Sequence, residues 1–384
     1  MQKYYDRKLD LQLPAKQSAF LWGPRQCGKS TYLRRKFNQS IYIDLLDFDQ
    51  RDRFSVRPTA LGEILQARPL EKLGHPVVID EVQNAPNLLD EVHRLIENKH
   101  YSFVLCGSSA RKLKIPGINL LGGRAWRFHM YPLTIGEIKE FDLLTGLNCG
   151  LLPAVYGRQN FRRNLDAYVN NYLETEIYNE AYIRNAQSFS RFFKSMRFFH
   201  GEILNYSSIS RDCGVSNHTV RTYVEILEDT LVGYLVFPFR KPSKRRTISS
   251  KPKFYLFDVG LANFVCGRTL DHLSTTEFGK SFEHLILTEL WAARSYLEKD
   301  FDIAFWRTSS GLEVDFVLGD GQVAVEVKSR VRSRDLRGIK AFIEEHNPKS
   351  AIVVTAEDDR RRIGSVDIMP YREFVSLLND GTLI

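Results

Sequence analysis

The run Gly23-Pro24-Arg25-Gln26-Cys27-Gly28-Lys29-Ser30 constrains this chain more than any other segment. It fits G-x-x-x-x-G-K-[ST] in full, between an apolar, strand-like stretch at Ala19–Trp22 and a helical pattern from about Lys29 to Phe37. Glycines let a backbone wrap closely round a polyanion, and the amides of the loop and of the helix start concentrate donors there. Gly23 to Thr31 (Gly23, Pro24, Arg25, Gln26, Cys27, Gly28, Lys29, Ser30, Thr31) are therefore expected to cradle a triphosphate such as ATP. Lys29 is expected to reach the β- and γ-phosphates. The Ser30 hydroxyl is expected on Mg²⁺, which takes hard oxygen ligands.

A loop of this kind belongs between the strands and helices of a parallel sheet. The first 135 residues alternate accordingly: strands are expected at Ala19–Trp22, Ile41–Leu45, Val77–Asp80 and Ser102–Cys106, and helices near Lys29–Phe37, Ala60–Ala67 and Leu88–Glu97. The predicted fold class is α/β. Val77-Val78-Ile79-Asp80-Glu81 ends an apolar strand in two carboxylates beside the phosphate loop. Asp80 is expected to hold Mg²⁺, mostly through water, and Glu81 to polarise the attacking water. Ser108 and Ser109 end the next strand, where a hydroxyl can sense the γ-phosphate; a plain turn is the rival reading. Arg124 follows the pair Gly122-Gly123, a placement suited to stabilising transition-state charge on a neighbouring subunit's nucleotide, and so to a homo-oligomer; an ordinary surface arginine is the alternative.

Composition narrows the classes. With 384 residues, 43% of them hydrophobic and 26% charged, the chain is long enough for two or three domains with buried cores. No apolar run approaches the ~20 residues of a membrane helix, and the N-terminus has no signal-peptide core. The five cysteines are scattered and never spaced C-x-x-C, which fits a reducing cytoplasm and argues against a disulfide or zinc framework. A net charge of +8 permits a phosphate-bearing partner.

From Leu133 to Arg197 the pattern is mostly helical, with aromatics such as Tyr168, Tyr172, Phe189, Phe192 and Phe193 at core spacing. Tyr206–Asp212, a turn at Cys213-Gly214-Val215 and a second helix capped by Ser216 make a helix-turn-helix, with strands Leu235–Phe239 and Phe254–Phe257 as a wing. Asn217, His218, Thr219, Arg221 and Thr222 are expected on its exposed face, available to DNA. Residues 240–253 add Arg240, Lys241, Lys244, Arg245, Arg246, Lys251 and Lys253 without an acid, a stretch able to lie along DNA phosphates or simply to be solvated. Winged helices also bind proteins, so the module alone does not fix the partner.

In the last part, Asp315 lies on a strand-like segment and Glu326 and Lys328 share one face of the next, joined by the turn Gly319-Asp320-Gly321. Glu283 lies on the preceding amphipathic helix, and Glu313 shares the face of Asp315. Paired carboxylates bind Mg²⁺ or Mn²⁺ and activate water on a phosphodiester, with a lysine to orient it.

Gly23–Ser30, Asp80-Glu81-Val82-Gln83, Gly107-Ser108-Ser109 and Gly122-Gly123-Arg124, in that order, resemble the AAA-fold ATPases of prokaryotes that carry a C-terminal domain of unknown function (DUF4143 type). The set Glu283, Asp315, Glu326-x-Lys328 resembles the PD-(D/E)XK nucleases. These resemblances imply an ATPase core at 1–135, a helical lid or linker at 136–200, a winged helix at 201–270 and a mixed α/β nuclease-like domain at 271–384. They leave open whether the ATP cycle controls DNA binding and Mg²⁺-dependent cleavage, or switches a regulator, scaffold or remodeller of protein complexes that has an inactive nuclease fold.

Overall fold

The computed structural model describes residues 4–67, 75–99, 101–109, 111, 121–173, 177, 185–241, 251–273 and 275–384. The N-terminal sheet holds β1 (Ser18–Trp22), β2 (Tyr42–Asp44), β3 (Val77–Asp80), β4 (Phe103–Gly107) and β5 (Ala125–His129) in the order β2-β3-β4-β1-β5, all parallel. Every residue of β1, β3 and β4 is buried, as continuous apolar runs in a doubly covered parallel sheet require. The connecting helices are α1 (Lys29–Lys36), α2 (Phe48–Val56), α3 (Ala60–Gln66) and α4 (Leu88–Lys99). Of these α2 has no counterpart in the expected pattern: its sequence FDQRDRFSV buries only Phe54, and the Asp47 side chain caps it by accepting from the Gln50 amide. The order puts β1 between β4 and β5, so the loop after β1 faces the tips of β3 and β4.

The middle of the chain contains α5 (Leu143–Cys149), α6 (Phe161–Ala167), α7 (Ala186–Phe199), α8 (Tyr206–Cys213) and α9 (Asn217–Asp229). Asn205 caps α8, Gly214 leaves it in the left-handed conformation (φ 66°), and Ser216 caps α9. Val220, Tyr223, Val224 and Leu227 turn inward onto Phe189, Phe192 and Phe193 of α7. Then follow β6 (Gly233–Pro238), β7 (Lys253–Leu256), α10 (Val259–Val265), the 21-residue α11 (Thr276–Tyr296), β8 (Ile303–Arg307), β9 (Glu313–Leu318), β10 (Val323–Lys328), α12 (Arg337–His346), β11 (Ser350–Thr355), β12 (Arg361–Ile363), β13 (Val366–Pro370) and α13 (Tyr371–Asn379).

Two features depart from the expected domain plan. The hairpin β6–β7 is not a separate wing. Phe237 and Pro238 of β6 pair in parallel with Ala304 and Phe305 of β8, so the hairpin forms one edge of an eight-stranded mixed sheet, β12-β13-β11-β10-β9-β8-β6-β7. A boundary at 270/271 therefore cuts through a hydrogen-bonded sheet. Nor is the region after β5 only a linker. Leu133, Ile135, Ile138, Phe141, Leu147 and Leu151 share one core with Phe282, Leu285 and Leu290 of α11. The short pair β12–β13 was also unanticipated, because the polar run Glu357–Arg362 hides a strand of which only three residues pair.

α11 carries Glu289 into this core, where its Oε1 accepts from the Ile135 amide at 2.8 Å. Burial, reinforced by nearby Glu137, pushes the Glu289 carboxyl up to about 8. The folded state thus holds a proton that the unfolded chain releases near 4.5. This contribution to stability is intact below about pH 4.5 and is lost as pH rises through about 8. Glu289→Gln keeps the acceptor for Ile135 and removes the titration. Its melting temperature is expected to match wild type near pH 5 and to exceed it by on the order of a few degrees at pH 8–9. Equal melting curves at both pH values would refute the assignment.

Candidate functional site

The loop between β1 and α1 closes one wall of a pocket of about 280 Å³. Gln26, Gly28, Lys29, Ser30, Thr31 and Tyr32 line it from the loop side, Glu81 from the tip of β3, and Tyr4, Tyr5, Arg7, Pro153 and Ala154 from the opposite side. Two glycines are structurally required. Gly28 caps α1 at φ 99°, and a Cβ on Gly23 would lie 2.3 Å from the Met130 carbonyl oxygen. Lys29 is buried, and its Nζ donates to the carbonyls of Gly23 (2.8 Å) and Pro24 (3.0 Å). Burial opposes its charge, but the surrounding Cys27, Cys106, Glu81 and Asp80 outweigh that and hold its pKa above the ordinary value.

At the tip of β3 the two carboxylates have different surroundings. Asp80 is almost fully buried; its Oδ2 accepts from the Tyr42 hydroxyl at 2.6 Å and its Oδ1 from the Glu81 amide at 3.1 Å. Burial and then Asp80 raise the Tyr42 phenol, so Tyr42 stays a donor. Glu81 has left-handed backbone angles (φ 56°, ψ 47°), costly for a glutamate, and this turns its side chain toward the pocket. Its Oε2 accepts from Gln83 Nε2 at 2.5 Å and from Ser108 Oγ at 3.2 Å, while Gln83 Nε2 also reaches Ser108 Oγ at 3.0 Å. The three side chains form one triangle across the tips of β3 and β4. Beyond it, Ser109 Oγ accepts from the Arg111 amide, and Arg111 pairs with Asp229 at the end of α9 at 3.0 Å. The donor set also suits a small hard cation: the Ser30 hydroxyl lines the pocket, and the Asp80 carboxylate stands at the neighbouring strand tip.

The least anticipated residue is Arg7. Its Nη1 donates to the Cys27 carbonyl at 2.5 Å and its Nη2 to the carbonyls of Tyr131 (2.7 Å) and Pro132 (3.1 Å) and to the Tyr296 hydroxyl (3.1 Å). Its Nε lies 3.1 Å from Glu137 Oε1, both side chains being buried. One guanidinium thus joins the phosphate loop, the chain after β5 and the end of α11. Nothing in the local sequence at Tyr5-Asp6-Arg7-Lys8 announces this. Gln83, by contrast, stands in the very run that marks Asp80 and Glu81, and its two-residue spacing from Glu81 was the missed signal.

Other expected residues lie elsewhere. Arg124 is partly exposed and pairs with Glu97 of its own chain. On α9, Asn217, His218 and Arg221 are exposed, Thr219 and Thr222 half-buried, and Arg221 lies over the Tyr206 ring at 4.4 Å. Lys244, Arg245 and Arg246 fall outside the described residues. Lys241 pairs with Asp320 at 2.7 Å. Lys253 contradicts the reading of a DNA-facing stretch: it is buried, 2.6 Å from Glu313 and 3.3 Å from Glu283. The β9–β10 hairpin does bring Asp315 and Glu326 together around Lys328, whose Nζ lies 3.0 Å from Glu326 and 3.7 Å from Asp315. Glu283 stands close enough to interact electrostatically with Asp315, and is itself held by Lys253 and by the Tyr255 hydroxyl at 2.6 Å. Among the described residues no three His, Cys, Asp or Glu side chains converge on a common point suited to an ion.

Residues 15–139 match the model of an AAA domain, residues 278–374 that of a domain of unknown function, DUF4143, and residues 141–272 that of another, DUF8612. The chain thus joins an AAA-type ATPase domain to a DUF4143 domain, the pairing that its motifs led us to expect. It is 28% identical over 305 residues to the uncharacterized proteins Mb2031c of Mycobacterium bovis and Rv2008c of Mycobacterium tuberculosis. The alignment covers 77% of this chain and 66% of each relative, so the chain spans a little under two thirds of their length. Among the described residues no helix is long and apolar enough to cross a membrane.

Removing Arg7 strands Glu137 in the interior. Arg7→Ala is expected to cost about 3–5 kcal/mol in urea unfolding, the usual penalty for an unpaired buried charge. Adding Glu137→Gln should restore part of that loss; an Arg7→Ala chain as stable as wild type would show the pair to be dispensable.

Proposed function

We propose that this protein binds and hydrolyses ATP at the loop of Gly23–Thr31 and uses the nucleotide state to govern the winged-helix and C-terminal modules. The observation that carries the reading is that Lys29, Ser30 and Glu81 line one pocket, with Glu81 clamped by Gln83 and Ser108. Lys29 and the loop amides neutralise the triphosphate. Ser30 and Asp80 would hold Mg²⁺, which supplies charge neutralisation across the β- and γ-phosphates. Glu81 accepts a proton from the attacking water, and Gln83 and Ser108 keep its free oxygen aimed at that water. Tyr4, Tyr5, Pro153 and Ala154 supply the apolar side of the pocket, suited to a base. Arg124 would have to leave Glu97 to act on a neighbouring subunit's nucleotide.

Two modes of output follow from particular contacts. The link from Ser109 through Arg111 to Asp229 supports transmission to α9, whose exposed Asn217, His218 and Arg221 suit DNA. The lysine-filled carboxylate cluster at Glu283 and Glu313 favours the second reading, a nucleotide-switched scaffold or regulator whose C-terminal domain binds without cutting.

Lys29→Ala is expected to abolish uptake of a fluorescent ATP analogue. Glu81→Gln should bind it normally while kcat falls about 100-fold or more, as loss of a general base does. Gln83→Ala should lower kcat roughly tenfold at unchanged KM, the effect of one lost hydrogen bond to a charged group. Unaltered turnover in Glu81→Gln would remove that residue from the chemistry. Fluorescence anisotropy of duplex DNA with and without ATP, across a salt series, separates the outputs: salt-sensitive binding lost in Arg221→Ala supports DNA, and no binding at low salt supports a protein partner.

A further inference from the structure

The C-terminal carboxylate cluster contains a second lysine that the two-strand motif does not supply. Lys253 comes from β7, the edge strand contributed by the hairpin after α9, where it pairs with Val236 of β6. Its ammonium group is 3.3 Å from Glu283 Oε1 on α11 and 2.6 Å from Glu313 Oε1 on β9, and its side chain is only 5% exposed. Glu283 Oε1 also accepts from Tyr255, the β7 residue two positions on, at 2.6 Å. On the other side, Asp315 Oδ2 accepts from the Val327 amide at 2.7 Å and lies 3.7 Å from Lys328, which is 3.0 Å from Glu326 Oε1. Glu313 is further met by Arg307 at 3.6 Å.

We infer that Lys253 stands where the resemblance to a metal nuclease would place a cation, and that the cluster, neutralised by the protein's own ammonium groups, takes up no divalent ion. The charge pairing argues for it. Each of the four carboxylates already faces an ammonium group: Glu283 and Glu313 share Lys253, and Asp315 and Glu326 share Lys328. Carboxylates neutralised in this way offer little to an Mg²⁺ or Mn²⁺ ion that must give up tightly held waters. A divalent ion on Glu283 or Glu313 would have to displace an ammonium group, itself only 5% exposed, that both carboxylates already share, and breaking such a pair is costly.

Mn²⁺ binding to the full-length chain, read from the loss of its free-ion EPR signal without nucleotide and in a Lys29→Ala background, tests this apart from the ATP reading. The Lys29→Ala chain is expected to leave the Mn²⁺ signal unchanged. Adding Lys253→Met should create one Mn²⁺ site per chain, and adding Asp315→Asn to that should abolish it. An ion bound by the chain with Lys253 intact, and lost on Asp315→Asn, would overturn the inference. So would a folded Lys253→Met chain that gains no ion. Melting of the native chain with and without Mn²⁺ gives an answer even where Lys253→Met does not fold: an unchanged melting temperature is expected, and a rise abolished by Asp315→Asn would overturn the inference.

Discussion

The ion pair of Arg7 with Glu137 is the constraint on which the arrangement of this molecule depends. A guanidinium has five donors in a fixed plane; here the two terminal nitrogens donate to carbonyls of the phosphate loop and of the segment after β5 and to a hydroxyl of α11, and the charge pairs with the Glu137 carboxylate, 3.1 Å from Nε. Buried, such a group is tolerable only when every partner is in place. Glu137 is satisfied in the same way: it also accepts from the amides of Lys8 and Thr134. The Cys27 carbonyl is one of the Arg7 partners, so the backbone beside Gly28 cannot shift without disturbing the guanidinium that also donates to the Tyr296 hydroxyl, an acceptor in turn for the Tyr131 amide at 3.0 Å. The phosphate loop and the end of α11 are thereby parts of one polar core.

The same economy of partners explains why the modules are not strung as separate beads. The strand β6 hydrogen-bonds to β7 on one side and β8 on the other. The segment from Tyr131 to Leu151 packs against α11 rather than forming a core of its own. Asp258 caps α10 through the Leu261 amide and also accepts from the Leu151 amide at 2.7 Å, tying α10 back to the segment after α5. Burial pushes this carboxyl up to about 6 even with those donors, and Glu289 shows the same conflict on the other side of the core. Acids buried for their hydrogen bonds make the assembly dependent on pH as well as on packing.

What could be read from the sequence was local. The phosphate loop, the carboxylates at the tip of β3 and the two-helix module have chemistry and spacing confined to a short window, and Gly214 and Ser216 mark the turn between α8 and α9 without reference to the rest of the chain. The C-terminal hairpin was legible for the same reason, since Gly319 and Gly321 adopt the positive φ that its turn requires. Arg7 was not legible because its partners lie at positions 27, 131, 132, 137 and 296. Lys253 was misread because a basic run has the same composition whether it is solvated or turned inward. Only the pairing of β6 with β8, a long-range event, decides which way that lysine faces. The helix α2 failed to register because a single buried residue, Phe54, leaves no period to detect.

Two buried lysines show how environment assigns a role to the same group. Lys29 is satisfied by two neutral carbonyls, those of Gly23 and Pro24. Hydrogen bonds between a cation and a neutral acceptor are weaker than those between two charges, so phosphate oxygens entering the pocket offer Lys29 better partners than it has. Lys253, itself nearly buried, is already shared by two carboxylates. Any exchange there would give up a charged partner and leave an acid exposed to a poorly polarisable interior, which opposes it. A lysine held by carbonyls is poised to receive an anion, whereas a lysine held by carboxylates is a structural cation. On that difference the N-terminal pocket suits an anionic ligand, whereas the C-terminal cluster ties the hairpin to the last domain.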